Sequence, residues 1–175
     1  MQMKLFLKYS LLFALAFMLH MTADAQKIGY VNSASLLEMM PKVKEAESNL
    51  ETLNKQLQAK GQKMMEDFQV KYQDLERRAQ AGDIAPKDQE AQVAMLKEEE
   101  NKILAFEQEM QTQLAAKRDE LLAPILDEVR NAIQAVAKDN GYSYILDGSP
   151  GVGVLLYADD ATNVTTLVKA KLGIQ

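Results

Sequence analysis

Apolar residues recur every three or four positions through the middle of this 175-residue chain, a pattern typical of long amphipathic helices. From Pro41 to Ala123 nearly every residue is a helix former, and the run is broken once, near Gly82. Along the first helix the spacing of the apolar residues changes from heptad-like to an eleven-residue repeat, which predicts a weak and changing supercoil. A helix of about 40 residues is about 60 Å long. The apolar positions of this first helix are Val43, Ala46, Leu50, Leu53, Leu57, Gly61, Met64, Phe68, Tyr72, Leu75 and Ala79.

The segment Gln80–Pro86 predicts a turn that joins this helix to a second, antiparallel one. Gly82 suits the position just after a helix, and Pro86 suits the first turn of the next. Pro124 predicts an interruption of the return helix, with a bend where the helical arm rejoins the rest of the protein. The apolar positions of the return helix are Val93, Leu96, Ile103, Phe106, Met110, Leu114, Leu121, Ile125, Val129, Ile133 and Val136.

Strand-like segments lie on both sides of this helical arm. Lys27–Asn32 predicts one short strand, and Tyr142–Leu146 with Val152–Tyr157 predicts a β-hairpin. Ser35–Glu38 matches a capping box for a short helix, and a last helix is expected to begin at Asp159–Thr162. The predicted fold is α+β and mostly α: a small β-containing body with a long antiparallel helical hairpin inserted between its first and later strands.

The predicted body has two parts, 26–41 and 121–175, and the arm covers 42–120 with its tip near 80–87. The body contains 71 residues, about the size at which a single core is marginal without added staples. Three short strands also form a thin sheet with exposed edges. Association between copies of the chain is therefore the expected way to complete the core.

Residues 1–25 have the pattern of an export signal. Lys4 and Lys8 precede an apolar run, Leu11–Leu19, and Ala23 and Ala25 form a small-x-small cleavage site before Gln26. A transmembrane anchor is the rival interpretation, but the apolar run is shorter than the ~20 residues that spanning needs. The mature chain is therefore expected to begin at Gln26.

The residue types in the chain exclude several classes of chemistry. Cysteine is absent, and the single histidine, His20, lies in the predicted signal. The mature chain would thus lack the groups for Ser-His or Cys-His catalysis and for nearly all zinc and iron sites, so an enzyme is not expected. The net charge is −5, or −6 after removal of 1–25, which argues against general nucleic-acid binding.

The order of these features resembles the OmpH/Skp family of periplasmic chaperones across essentially the whole mature chain. The resemblance rests on the signal followed by KIGYVN, then LLEMMPKVKEAESNLE, LLAPILDEVRNAIQAVAKDNGYSYILD and VLLYADDATNVTTLVKAKLG. It implies a homotrimer in the periplasm, held together by the body, with three helical arms that hold unfolded outer-membrane proteins without ATP or any cofactor. A structural coiled-coil or adaptor protein of the cell envelope, with one fixed partner, is the alternative.

The arm charges depart from the strongly basic arms of well-known family members. Lys42–Ala81 has eight Lys and Arg against seven Asp and Glu, and Asp83–Glu120 has five against ten. No broad positive field would attract acidic clients, so apolar contacts and local charge patches should do more of the binding.

Two sets of arm residues are candidates for contact with clients. Met64 and Phe68 are expected in the seam between the helices, whereas Met65 and Val70 fall off the apolar stripe and are predicted client contacts. The basic cluster near the tip consists of Lys71, Arg77, Arg78 and Lys87. It would contact acidic clients or, weakly, a membrane surface, although ordinary pairing with nearby carboxylates is the simpler interpretation.

Three further motifs have structural explanations. Gly148–Gly153 is glycine-rich but lacks the Lys-Ser/Thr of a phosphate loop and lies between two predicted strands, so a hairpin turn is expected. Asp159 and Asp160 are expected to cap a helix. Glu98–Glu100 are consecutive helical residues that point in different directions, which predicts a solvated face.

Overall fold

The computed structural model describes residues 26–174. The predicted cleavage residues Ala23 and Ala25 lie outside this range, and Gln26 is its first residue. Across the range the elements are β1 (Ile28–Val31), α1 (Ser33–Met39), α2 (Pro41–Ala81), α3 (Pro86–Asn140), β2 (Tyr144–Asp147), a 3₁₀ turn (Asp160–Thr162) and α4 (Thr165–Leu172). The predicted α+β, mostly α fold is confirmed, because the hairpin of α2 and α3 is inserted between the two strands.

Local sequence signals set the ends of the two long helices. Gly82 follows α2 in the left-handed conformation with φ 72°, and Pro86 occupies the first turn of α3. Gly141 ends α3 with φ 69°. The predicted turn at Gln80–Pro86 and the predicted cap at Gly141 are confirmed, because glycine adopts this backbone without a steric penalty.

Pro124 does not interrupt α3, which runs from Pro86 to Asn140. The predicted interruption is therefore wrong. A proline within a helix removes one backbone hydrogen bond. Here the neighbouring residues Leu121, Leu122 and Ile125 pack against the core, and this packing holds the helix together across the defect.

The two strands form a parallel pair, in register from Ile28 opposite Tyr144 to Val31 opposite Asp147. The predicted β-hairpin is wrong, because β2 pairs with β1 and the segment 152–157 forms no strand. The other side of β1 is already occupied at Tyr30, whose carbonyl accepts the Val164 amide at 2.8 Å. Among residues 26–174, the segment 152–157 pairs with no strand.

The core lies at the end of the molecule where the hairpin begins and finishes. Leu36, Val164 and Val168 are its most completely buried side chains. Val43 and Ala46 of α2 also belong to it, together with Ile125, Val129, Ala132 and Val136 of α3. The long arm is therefore anchored at one end only.

The caps of the short helices differ in part from expectation. Asn32 caps α1, since its side-chain oxygen accepts the Ser35 amide at 2.9 Å, so the predicted capping box is wrong. Asp159 caps the 3₁₀ turn by accepting the Ala161 amide at 2.9 Å, in agreement with its predicted capping role. The last helix, α4, begins at Thr165, so the start predicted at Asp159–Thr162 is wrong.

Candidate functional site

The seam between α2 and α3 is a narrow apolar line with wide exposed flanks. Its buried residues beyond the body are Leu57 and Leu75 of α2 and Ile103 and Phe106 of α3. Met64 and Phe68 are half-buried, consistent with their expected place in the seam. Tyr72 and Val93 were assigned to the stripes, but both are exposed, because the two helices cover less than the full width of each stripe.

Phe106 of α3 packs over Gly61 of α2. A Cβ atom at Gly61 would lie 3.4 Å from Cε1 of Phe106, an ordinary contact distance. The Lys60 ammonium lies 4.7 Å from the centre of the same ring, within cation–π range. In the middle of the seam, the ring of Phe106 therefore packs against Gly61 and lies beneath the Lys60 ammonium.

Two ion pairs join α2 to α3. Lys42 contacts Glu128 at 2.6 Å near the body, and Lys71 contacts Glu99 in the outer half of the arm. All four side chains are partly exposed, and such pairs contribute only about 0–1 kcal/mol each. They help to set the register of the hairpin and add little to its stability.

An open groove of about 550 Å³, here called the outer groove, lies between the helices in the outer half of the arm. Its apolar lining residues are Val70 and Leu75 from α2 and Met95 and Leu96 from α3. Val70 is 66% exposed and Met95 61% exposed. The groove thus offers apolar surface that neither helix covers.

The charged residues of the outer groove are paired with one another or with their neighbours. Lys71 contacts Glu99, Lys102 lies 2.7 Å from Glu98, and Asp74 accepts contacts from arginines of α2. The hydrogen bond from Lys102 lowers the pKa of the Glu98 carboxyl, so that group stays ionised and paired. The groove consequently presents a nearly balanced charge.

The two predicted client contacts occupy different surfaces. Val70 lines the outer groove beside Lys71, as described above. Met65 is 51% exposed and is not among the residues that line it. Both positions are accessible, and their part in binding stays a prediction.

The basic cluster near the tip is divided among carboxylates. Arg77 contacts Asp74, and Arg78 lies 3.8 Å from the same carboxylate. Lys71 pairs with Glu99 across the seam. Lys87 lies in the first turn of α3 and has no ion pair within residues 26–174. Three of the four cations therefore have local partners, so an isolated positive patch is not formed.

Sequence reasoning missed Met95 as a candidate contact. It lies next to Leu96 on the stripe of α3, and its side chain joins Val70 in the outer groove. The signal in the sequence was that Met95 on α3 and Val70 on α2 are both apolar and both lie next to the apolar stripe of their helix. Which residues oppose each other becomes clear only when the register of the hairpin is known.

The body contains a compact polar cluster where β2 ends. The Asp147 carboxylate accepts the Ser33 hydroxyl at 2.5 Å and the Ser149 hydroxyl at 2.6 Å. It also accepts the Ser149 amide at 2.9 Å, and Ser149 in turn accepts the Ala34 amide at 3.0 Å. The cluster connects β2 to α1 and fixes the turn that follows. Because no strand follows this turn among the described residues, the hairpin turn expected at Gly148–Gly153 is wrong.

The segment after this turn exposes apolar residues. Leu156 is 95% exposed and Tyr157 87%, with Val152 and Val154 also exposed. Tyr144 of β2 is exposed as well. A soluble domain rarely leaves so many large apolar side chains together in water, so this part of the body is a candidate interface.

The described part of the chain offers no alternative kind of site. Between residues 26 and 174, no helix is both long enough and apolar enough to span a membrane. In the same range, His, Cys, Asp and Glu residues form no group of three or more that could hold a metal ion. The outer groove and the exposed body segment are therefore the two surfaces that we consider as binding sites.

Comparison with known proteins decides the family. The family described as "Outer membrane protein (OmpH-like)" matches residues 27–172, nearly all of the described chain. The chain belongs to the OmpH family. The match spans both parts of the body and the whole helical hairpin of this OmpH-family chain, so the resemblance to the OmpH/Skp family is confirmed.

Individual relatives agree with this assignment. The chaperone protein Skp of Photorhabdus laumondii is 30% identical over 157 residues, covering 89% of this chain and 90% of the relative. Skp of Pectobacterium atrosepticum is 27% identical over 143 residues, covering 81% and 82%. A solved OmpH-like structure from Caulobacter crescentus CB15 has a TM-score of 0.71 at 21% identity, covering 84% of this chain and 83% of its own, which supports the fold.

Proposed function

We propose that this OmpH-family protein is an ATP-independent holdase of the periplasm, which binds unfolded outer-membrane proteins between helical arms and prevents their aggregation. The observation that carries the proposal is the arm itself. Its two helices project from a core at one end, and its outer half leaves Val70 and Met95 exposed beside a balanced set of charges. The relatives named Skp are chaperones by name.

The physical properties of such clients fit this surface. An unfolded barrel protein exposes strands with alternating apolar residues and unpaired backbone groups, which aggregate when free. A long arm with scattered apolar contacts would bind many different sequences weakly at about 25 cal/mol per Å² of apolar surface, before the costs of ordering. Weak and distributed contact allows release without a fuel such as ATP.

Assembly into a homotrimer through the body is part of the proposal. A two-stranded sheet is small for an independent domain, and the exposed Leu156 and Tyr157 lie in a segment without a partner strand. A neighbouring copy would supply that partner and cover these side chains. The number three comes from the family resemblance.

An aggregation assay tests the chaperone function. A urea-denatured outer-membrane barrel is diluted into buffer with or without the mature protein, and light scattering is recorded without ATP. We expect suppression for several unrelated barrels. Suppression of none of them, together with tight binding of one folded envelope protein, would instead support the adaptor alternative.

Sedimentation tests the trimer. The mature chain should sediment as a trimer at micromolar concentration, and so should a chain in which a short linker replaces 51–113 and leaves the core residues Val43 and Ala46 in place. The double substitution Leu156→Asp and Tyr157→Asp should release monomers, because it places charges in the proposed interface. A wild-type monomer would contradict the proposed assembly.

Export is tested by intact-mass measurement on protein from the envelope fraction. We expect a chain that starts at Gln26. A mature protein that retains Leu11–Leu19 would contradict both cleavage and the periplasmic location.

A further inference from the structure

We propose that the outer groove seats a short, uncharged, extended segment of the client, with apolar side chains at alternate positions. This inference rests on the proposed chaperone function and names the part of the client that each arm recognises. It follows from the direction of the groove, the pairing of its charges and the spacing of its apolar side chains.

The apolar surface continues along the arm rather than forming a round pocket. A smaller groove of about 190 Å³ shares Lys71, Glu99 and Lys102 with the outer groove and adds Met64, Asp67 and Ile103. These additions lie closer to the body along their helices, and two of the three are apolar. The apolar line thus extends from Leu75 to Met64, eleven steps along α2, or about 16 Å at about 1.5 Å per residue.

An extended strand matches that length closely. Five residues at about 3.3 Å each cover about 16 Å, and every second side chain points to the same face. Residues i, i+2 and i+4 of the client would therefore place three side chains in the line of grooves. Strands of membrane barrels carry this alternation of apolar and polar residues, so unfolded barrel clients contain many suitable segments.

The paired charges favour an uncharged occupant. A charged client side chain entering the groove would have to compete with the Lys71–Glu99 or Lys102–Glu98 contact for its partner. An apolar side chain can be buried without breaking either pair. Because the groove has no strong net charge, affinity should change little as salt is raised.

The chain supplies a matched pair of variants. Val70→Lys places a charge inside the outer groove, whereas Gln69→Lys places the same charge on the same helix but outside it. Both residues are exposed, so both variants should fold. Far-UV circular dichroism confirms this before any binding is measured.

The experiment uses fluorescent ten-residue peptides and the full mature protein. One peptide has Leu and Val at alternate positions with Ser and Thr between them, and the other has the same composition at helical i, i+3, i+4, i+7 spacing. We expect the alternating peptide to bind at least fivefold more tightly. Val70→Lys should weaken its binding at least fivefold, and Gln69→Lys less than twofold.

The outcomes separate this inference from the proposed function. Equal binding of both peptides, no binding of either, tighter binding of the helical pattern, or equal effects of the two substitutions would overturn the groove assignment. The same proteins are assayed for suppression of barrel aggregation. Suppression that persists while the peptide result fails would reject only the groove, whereas the absence of suppression would reject the holdase itself.

Discussion

Removal of the Ser149 hydroxyl should unfold the body at lower denaturant concentration. Among the polar residues of the described chain, Ser149 is the one that is buried, and it connects β2 to α1. Its hydroxyl donates to Asp147 at 2.6 Å and accepts the Ala34 amide at 3.0 Å. Ser149→Ala deletes both contacts and leaves the backbone conformation allowed.

The expected loss can be estimated from the contacts. A hydrogen bond to a charged group contributes about 1.5–3 kcal/mol. Asp147 keeps the Ser33 hydroxyl and the Ser149 amide, so the carboxylate remains partly satisfied, and Ala34 is exposed, so water can take the place of the hydroxyl at its amide. We therefore expect Ser149→Ala to lower the free energy of unfolding by about 1.5–3 kcal/mol, the range for the one bond to the carboxylate.

Urea titration followed by tyrosine fluorescence measures the effect, at one fixed protomer concentration because association contributes to stability. The midpoint should fall without a change in slope, since the folded state buries the same surface. Ser143→Ala, at an exposed serine just before β2, is the control and should change stability by less than about 0.5 kcal/mol. Equal small effects of the two substitutions would refute the role given to the Ser149 hydroxyl.

Three further substitutions test other parts of the structure. Partial burial raises the pKa of Asp147. Hydrogen bonds from serine hydroxyls and amides lower it by more than this, so the pKa lies below its ordinary value. The ionised carboxylate therefore stabilises the fold above the unfolded pKa of about 3.9, and this contribution is lost as pH falls through the folded pKa. In Asp147→Asn, the free energy of unfolding from urea titrations should depend less on pH below about pH 4. Gly29→Ala should destabilise the body by about 1–3 kcal/mol in the same titration, because its Cβ would lie 2.9 Å from the Tyr142 ring. Gly61→Ala should raise arm stability by about 0.5–1 kcal/mol, seen as a higher circular-dichroism melting temperature, because Phe106 leaves room for a methyl group. A lower melting temperature would show that the seam needs the glycine.

Much of the candidate site could be located from sequence, but its composition could not. Val70 was predicted as a contact because it falls off the apolar stripe, and it does line the outer groove. Met95 was missed, and Met65 lies elsewhere, because the groove depends on which residues of two antiparallel helices face each other. The basic residues at the tip were visible in the sequence, and Arg77 and Arg78 pair with Asp74 of the same helix at i,i+3 and i,i+4 spacing. Only the pairing of Lys71 with Glu99 depends on the register.

The sequence by itself determined the helical arm and its ends. Helix periodicity, the left-handed glycines Gly82 and Gly141 and the proline at position 86 act over a few neighbouring residues, so they can be interpreted without knowledge of distant contacts. Only the tertiary structure decided the sheet. The parallel pairing of Ile28–Val31 with Tyr144–Asp147 joins segments more than a hundred residues apart, and the alternating pattern of 152–157 could not reveal that this segment pairs with no strand between residues 26 and 174. A strand is stabilised by its neighbours, and local propensity does not specify which neighbours those are.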